Sequence, residues 1–303
     1  MEATWWWIIV TAIAPVAWGA NYFVTHEYLP TGHPLWGAVL RALPAGLLLL
    51  AAGRRLPSGP WWWRSAVLGV LNMGAFFALI YVAAQLLPTG VAATIMASAP
   101  VVMMLIAWAM LGERPTLPAC AGAALGVTGV CLMLLGGLTA VNPWGVAASV
   151  TAMLLSSLGY VLAKRWSDGT GVLATTSWQL IAGGLVLVPF AVVAEGAPPA
   201  LDGPAAAGFA YVAVVATAVA FAAWFTGLKH LRAGTVGLVG LLNPVTGVLL
   251  GTFVAAEALT ARQGAGLVLV LAGILLGRPR ARRPRVPAET GTAPAPCARR
   301  GRA

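Results

Sequence analysis

Charge is what this chain has least of. Charged side chains are 9% of its 303 residues, against roughly 25% in an ordinary soluble domain, and 60% of the residues are hydrophobic. A soluble protein of this length would leave too much of that apolar surface facing water, so a water-soluble globular fold is excluded. Acidic residues are scarcer still, eight Asp and Glu against 18 Lys and Arg, and none falls at the centre of an apolar run. Cysteine is nearly absent: the spacing of Cys120, Cys131 and Cys297 fits neither a zinc site nor a redox pair. The His-Glu-x-x-His zinc motif, the Gly-x-Ser-x-Gly elbow and an Asp-rich pair for a magnesium diphosphate are all missing, which argues against a membrane enzyme. No Walker loop is present, so ATP is not the direct energy source. A repeated filter-like or charged ring of the channel kind is lacking too. No metal and no cofactor are expected.

What the chain has is long apolar runs. Most are about 20 residues, the length that crosses the hydrocarbon core as a helix, and short clusters of Pro, Gly and charge separate them. Sustained apolar/polar alternation, the signature of a membrane barrel, is missing. The expected fold is an all-α integral membrane protein with ten transmembrane helices: Thr4–Val24, Pro34–Ala52, Ser65–Leu86, Thr89–Leu111, Leu117–Leu138, Pro143–Ala163, Val172–Val193, Ala205–Leu228, Gly234–Ala256 and Ala261–Gly277. The first run is too long for a signal peptide and lacks a basic flank before it.

A formal charge of +10 raises nucleic acid as a partner, but the placement of the charge argues for lipid. Arg278, Arg280, Arg282, Arg283, Arg285, Arg299, Arg300 and Arg302 fall beyond the last run. With the N-terminus inside, the inner loops hold Arg54, Arg55, Arg64, Arg114, Lys164, Arg165, Lys229 and Arg232, and the outer loops only Arg262. That positive-inside pattern predicts both termini in the cytoplasm. The Trp5–Trp7 and Trp61–Trp63 clusters fall where indole anchors belong. Residues 278–303 read as a basic, disordered tail able to rest on anionic lipid.

The chain also resembles itself. A shift of 144 lays the fourth and fifth helices on the ninth and tenth, with Pro100 on Pro244, Glu113 on Glu257, and Gly122 and Gly129 on Gly266 and Gly273. A shift of 138 lays the first two helices on the sixth and seventh, with Tyr22 on Tyr160, Arg41 on Gln179 and Gly46 on Gly184. Five helices per half is an odd number, so the second half must enter the membrane inverted. Two inverted halves that rock about a central site are a recurrent carrier plan. The predicted units are 1–138, 139–277 and the tail 278–303.

These residues resemble the EamA-type carriers of the drug/metabolite transporter superfamily. Trp18-Gly19-Ala20-Asn21 is similar to that family's opening Trp-Gly-x-Asn/Ser, Arg41 to its second-helix arginine, and Pro100 with Gly112-Glu113-Arg114 to its fourth-helix signature. Asn243-Pro244 and Ala256-Glu257 occupy the equivalent places in the second half, while Ser157-Leu158-Gly159-Tyr160 departs from the Trp-Gly start. The resemblance covers Thr4 to Gly277 and implies ten helices, two five-helix repeats and export of a small metabolite, such as an amino acid or related compound, across the cell (inner) membrane. A multidrug or cationic-compound exporter of the same fold is the alternative. The implied partners are a small-molecule substrate and the bilayer, and a homo-oligomer is allowed.

Helix faces locate the site. Thr11, Pro15, Trp18 and Tyr22 share one face of the first helix, and Ser149, Met153, Ser156 and Tyr160 one face of the sixth. These stripes either line a central cavity or pack helices closely. Arg41 is the one charge expected within the membrane. It either captures a substrate carboxylate or phosphate, pairs with Glu27, or snorkels outward. Asn21, Asn72, Gln179 and Asn243 complete the candidate substrate contacts, Asn243 preceding a proline that interrupts its helix. His26 and Glu27 are candidates for proton coupling, with solvated interface charge as the plainer role.

Overall fold

The structure is a computed structural model that describes residues 2–28, 32–87, 89–134, 142–254 and 260–278. Most of the described residues are helical, and no strand occurs among them. The helical segments follow one another as ten rods. They are α1 (Glu2–Tyr28), α2 (Pro34–Gly53), α3 (61–86), α4 (89–111), α5 (Leu117–Leu134), α6 (Pro143–Arg165), α7 (Val172–Glu195), α8 (Gly203–His230), α9 (233–253) and α10 (Ala261–Gly277). Eight of them, α2 through α9, are long and apolar enough to cross a membrane, and α10 is a shorter apolar helix. This is a multi-span membrane protein. Its exposed apolar surface agrees, with Phe253 80%, Leu117 84% and Val193 87% exposed where lipid, not water, is the solvent.

The helix starts follow local chemistry. Asn142 accepts from the Trp144 N–H ahead of Pro143, and Asp202 accepts from the Ala205 N–H ahead of Pro204. Both arrangements supply an acceptor to an orphan donor and put proline where no N–H is needed. Thr260 and Gln263 cap each other reciprocally at the head of α10.

Four rods are interrupted, in two matched ways. α4 is broken between Met96 and Ala99, and α9 at Leu241. Each break lies just ahead of a proline, Pro100 or Pro244, whose ring displaces the carbonyl four residues back. α3 and α8 instead contain π-helical segments, Val70–Gly74 and Val214–Val219. Such a segment widens the helix by one residue per turn and is frequently found at functional sites.

Small residues set the packing. α5 and α10 meet backbone to backbone. A Cβ on Gly129 would come within 2.6 Å of the Gly266 carbonyl oxygen, and one on Gly273 within 2.5 Å of that of Gly122, so nothing larger than hydrogen fits there. α2 crosses α7 at Gly46 and Gly184, where the space of a missing Cβ is taken by Ile181 and Leu43 side chains of the facing helix. α1 lies against α8 and α9, α6 against α3 and α4, and α4 against α9.

Candidate functional site

The π segment of α8 organises one polar junction. Ala216, inside it, offers its carbonyl oxygen to two side chains from other helices. Trp18 Nε1 of α1 donates at 3.0 Å and Arg41 Nη2 of α2 at 3.3 Å. Arg41 Nε donates to Thr217 Oγ1 at 3.0 Å, and the guanidinium carbon sits 4.7 Å from the Phe77 ring centre. Arg41 is the eighth residue of α2, well inside the helix. Its charge is therefore held by a carbonyl, a hydroxyl and an aromatic face, the kinds of partner an intramembrane cation requires.

The two stripes meet on the same helix. Trp18 lies 5.1 Å from Phe221 and 5.2 Å from Trp224, and Tyr160 of α6 lies 5.5 Å from Trp224 and 5.9 Å from Phe225, centre to centre. Trp224 is buried and joins them. Thr11, Ser149, Met153, Ser156 and Tyr160 are buried as well, so the stripes face protein. Around this meeting point Trp224 Nε1, Asn21 Oδ1 and Asn243 Oδ1 are buried without a hydrogen-bond partner. Gly19, two residues before Asn21, brings the α1 backbone so close to α9 that a Cβ there would stand 2.6 Å from the Asn243 carbonyl oxygen. Orphan polar atoms of this kind cost about 1–3 kcal/mol each, and a bound polar molecule or water relieves that cost.

A second junction sits on the π segment of α3. Asn72, fully buried, donates from Nδ2 to Gln179 Oε1 at 2.9 Å, and Gln179 Nε2 donates to the Thr175 carbonyl at 3.1 Å. Gln179 is the eighth residue of α7, as Arg41 is of α2. The Asn72 Oδ1 atom presses on the Cα of Gly159, where no Cβ could stand. Asn72 and Gln179 thus bind each other rather than joining the Trp18–Arg41–Tyr160 group. Ser156 donates to the Met153 carbonyl of its own helix at 3.1 Å. The side chains of Tyr22, His26 and Glu27, and all of Glu257, lie outside the described residues.

A third cluster ties helix ends together. Lys164 Nζ, at the end of α6, is 2.6 Å from Glu113 Oε1 just beyond α4, and donates to the Leu231 carbonyl at 2.5 Å. Glu113 Oε2 accepts from the Ala233 N–H at the head of α9 at 2.9 Å. Both side chains of the pair are less than one-fifth exposed, 17% and 18%. The sequence places Glu113 in a repeated helix-end signature but does not show its partner, because the two residues are far apart in the chain. It also misses Trp224 and Thr217, which look like ordinary members of an apolar run. No group of three or more potential metal ligands occurs among the described residues.

Comparison with known proteins bears on what such an arrangement does. The description "EamA-like transporter family" matches this chain twice, over residues 5–135 and 143–277. Protein PecM of Dickeya dadantii is 35% identical over 265 residues, covering 87% of this chain and 89% of that protein. The uncharacterized inner membrane transporter YedA of Escherichia coli is 27% identical over 268 residues, covering 86% and 87%. The WAT1-related chloroplastic protein At3g02690 of Arabidopsis thaliana is 24% identical over 275 residues, covering 86% of this chain and 66% of that protein. A solved crystal structure superposes with a TM-score of 0.78 over 89% of this chain and 95% of the other at 18% identity, a likeness of fold. Two matches to the family, spanning both halves of a many-helix membrane protein, and relatives named as transporters lead to one conclusion: this chain belongs to the EamA-like transporter family and is a membrane transporter, not an enzyme.

Proposed function

We propose that the chain is a secondary carrier that exports a small metabolite, an amino acid or related compound, by alternating access, with its substrate held where α1, α6 and α9 meet α8. The observation that carries this is the meeting of the Trp18 and Tyr160 faces on Trp224, beside the orphan polar atoms of Asn21, Asn243 and Trp224. Arg41 reaches the same stretch of α8 as Trp18, which favours a substrate bearing a carboxylate. The aromatic rings alone would suit a cationic or drug-like compound; that is the second reading.

Ten spans arranged as two inverted repeats, 1–138 and 139–277, supply the movement. Exchange of α1–α5 for α6–α10 maps the helix contacts described above onto one another or onto themselves: α1 with α8 becomes α6 with α3, α1 with α9 becomes α6 with α4, and α2 with α7, α4 with α9 and α5 with α10 are unchanged. The π segments begin 144 residues apart, at Val70 and Val214. With both termini in the cytoplasm of an inner-membrane protein, the Glu113–Lys164 pair closes the inner end and must separate when that end opens. The 278–303 tail then rests on the cytoplasmic face.

Purified protein in liposomes tests the reading by counterflow with labelled amino acids and with labelled organic cations. Saturable exchange of amino acids, lowered in Arg41→Ala and Tyr160→Ala, supports it. Exchange of cations alone selects the second reading. Exchange of neither, with and without a pH gradient, overturns both substrate assignments.

A further inference from the structure

Three arginines far apart in the chain come together on one cavity. Arg114 follows α4, Arg232 precedes α9 and Arg278 follows α10, and all three line a space of about 290 Å³. Thr116 and Thr235 add hydroxyls to its wall, and Glu113 is the one carboxylate among its lining residues. That carboxylate is already engaged, by Lys164 on one oxygen and the Ala233 N–H on the other. Arg232 Nη2 donates to the Arg114 carbonyl at 2.6 Å, a neutral partner, so three arginines lining one cavity with a single, already engaged carboxylate leave a net positive field that an anion would offset.

The setting defines the anion. At about 30 Å³ per water molecule, the cavity holds roughly ten waters, enough for a compact polar headgroup and too little for acyl chains. It lies at the ends of four helices, where the lipid-facing surface stops: Leu117 is 84% exposed beside it, and Trp108 and Leu275 are each 53% exposed on neighbouring turns. Arg278 stacks on Trp5, 4.8 Å from the ring centre, and Trp marks the headgroup level. The heads of α5 and α9 border the cavity with the positive ends of their dipoles. Guanidinium matches the geometry of a phosphate oxygen pair, and basic pockets between membrane helices on the cytoplasmic side hold anionic headgroups.

We infer that this cavity binds a phosphate-bearing anion, supplied by an anionic phospholipid headgroup or by free phosphate. An occupant there would join the α4–α5 turn, the head of α9 and the end of α10. The first two of these are also tied by the Glu113–Lys164 pair, through Glu113 and the Ala233 N–H, so binding would hold that end of the bundle shut. The inference stands independently of the transported substrate.

Native mass spectrometry of the full chain in mild detergent reads the occupant directly. Phosphatidylglycerol, phosphatidylcholine and inorganic phosphate are added in separate arms. Preferential retention of phosphatidylglycerol is expected, falling about fivefold for each arginine replaced, in Arg114→Gln and in the Arg114→Gln/Arg232→Gln double variant. Because the tail is itself basic, a variant with Gln at positions 280, 282, 283, 285, 299, 300 and 302 must keep that retention. Phosphate bound with the same dependence on Arg114 and Arg232, without lipid preference, also supports the site and names free phosphate as its source. Retention unchanged in the double variant, lost only in the tail variant, or absent in every arm overturns the inference. Arg114 is exposed, so its single substitution tests the cavity without burdening folding.

Discussion

The two π segments invite comparison because their surroundings are alike in backbone and opposite in chemistry. In α3 the segment presents Asn72 to Gln179, and the contact is amide to amide. In α8 it presents the Ala216 carbonyl and the Thr217 hydroxyl to Arg41, and the contact carries a charge. Arg41 and Gln179 each occupy the eighth position of their helix. One scaffold thus serves twice, first as a neutral clasp between helices and second as the mount for the cation beside Trp18 and Trp224. The difference teaches that duplication preserves the backbone device more strictly than the side chains it displays.

Three substitutions break or sharpen that comparison. Arg41→Ala has the largest expected effect. A hydrogen bond to a charged group contributes about 1.5–3 kcal/mol, so substrate transport in liposomes should fall by roughly tenfold or more. An equal fall in Gln179→Ala would show that the charge has no special part. Asn72→Leu comes next: it leaves Gln179 Oε1 buried and unpaired, which costs about 1–3 kcal/mol of stability. The protein should melt earlier in detergent while keeping a transport rate within about twofold of wild type, if the substrate sits at the Trp18–Trp224–Tyr160 site proposed above. Thr217→Val is the mildest, removing one acceptor from Arg41 while the Ala216 carbonyl remains. An apparent affinity lowered about fivefold with an unchanged maximal rate, corresponding to ~1 kcal/mol, is the expected pattern. No change would place Arg41 in structure rather than recognition.

The helices were legible in the sequence because a bilayer imposes length and apolarity so strongly that few alternatives survive. Pro244 marked an interruption in the sequence because a missing N–H is a property of the residue itself; the matching break ahead of Pro100 was not read there. The π segments were not legible. Val-Leu-Asn-Met-Gly and Val-Val-Ala-Thr-Ala-Val have no composition that separates them from α-helix, and the extra residue per turn is decided by packing with other helices. Arg41 was found, but its partners were not: every residue carries a carbonyl acceptor like that of Ala216, which leaves no mark in the sequence, and Thr217 and Phe77 meet it only in the assembled bundle. Trp18 and Tyr160 were placed on inward faces by their periodicity. That both would lean on Trp224 depends on how α1 and α6 sit against α8, which no single helix encodes. Glu113 and Lys164 were visible as charges at helix ends, and their pairing is a property of the assembled bundle.

The seam between α5 and α10 has a consequence for how freely this protein can vary. There Gly122, Gly129, Gly266 and Gly273 let the carbonyl of each facing glycine stand where a Cβ would be. Elsewhere on the outer surface, as at Val193 or Leu117, any oily residue would satisfy lipid. A saturation mutagenesis map should therefore show a narrow line of intolerance running the length of that seam, flanked by broad tolerance, as though the molecule had a spine whose vertebrae admit one residue only.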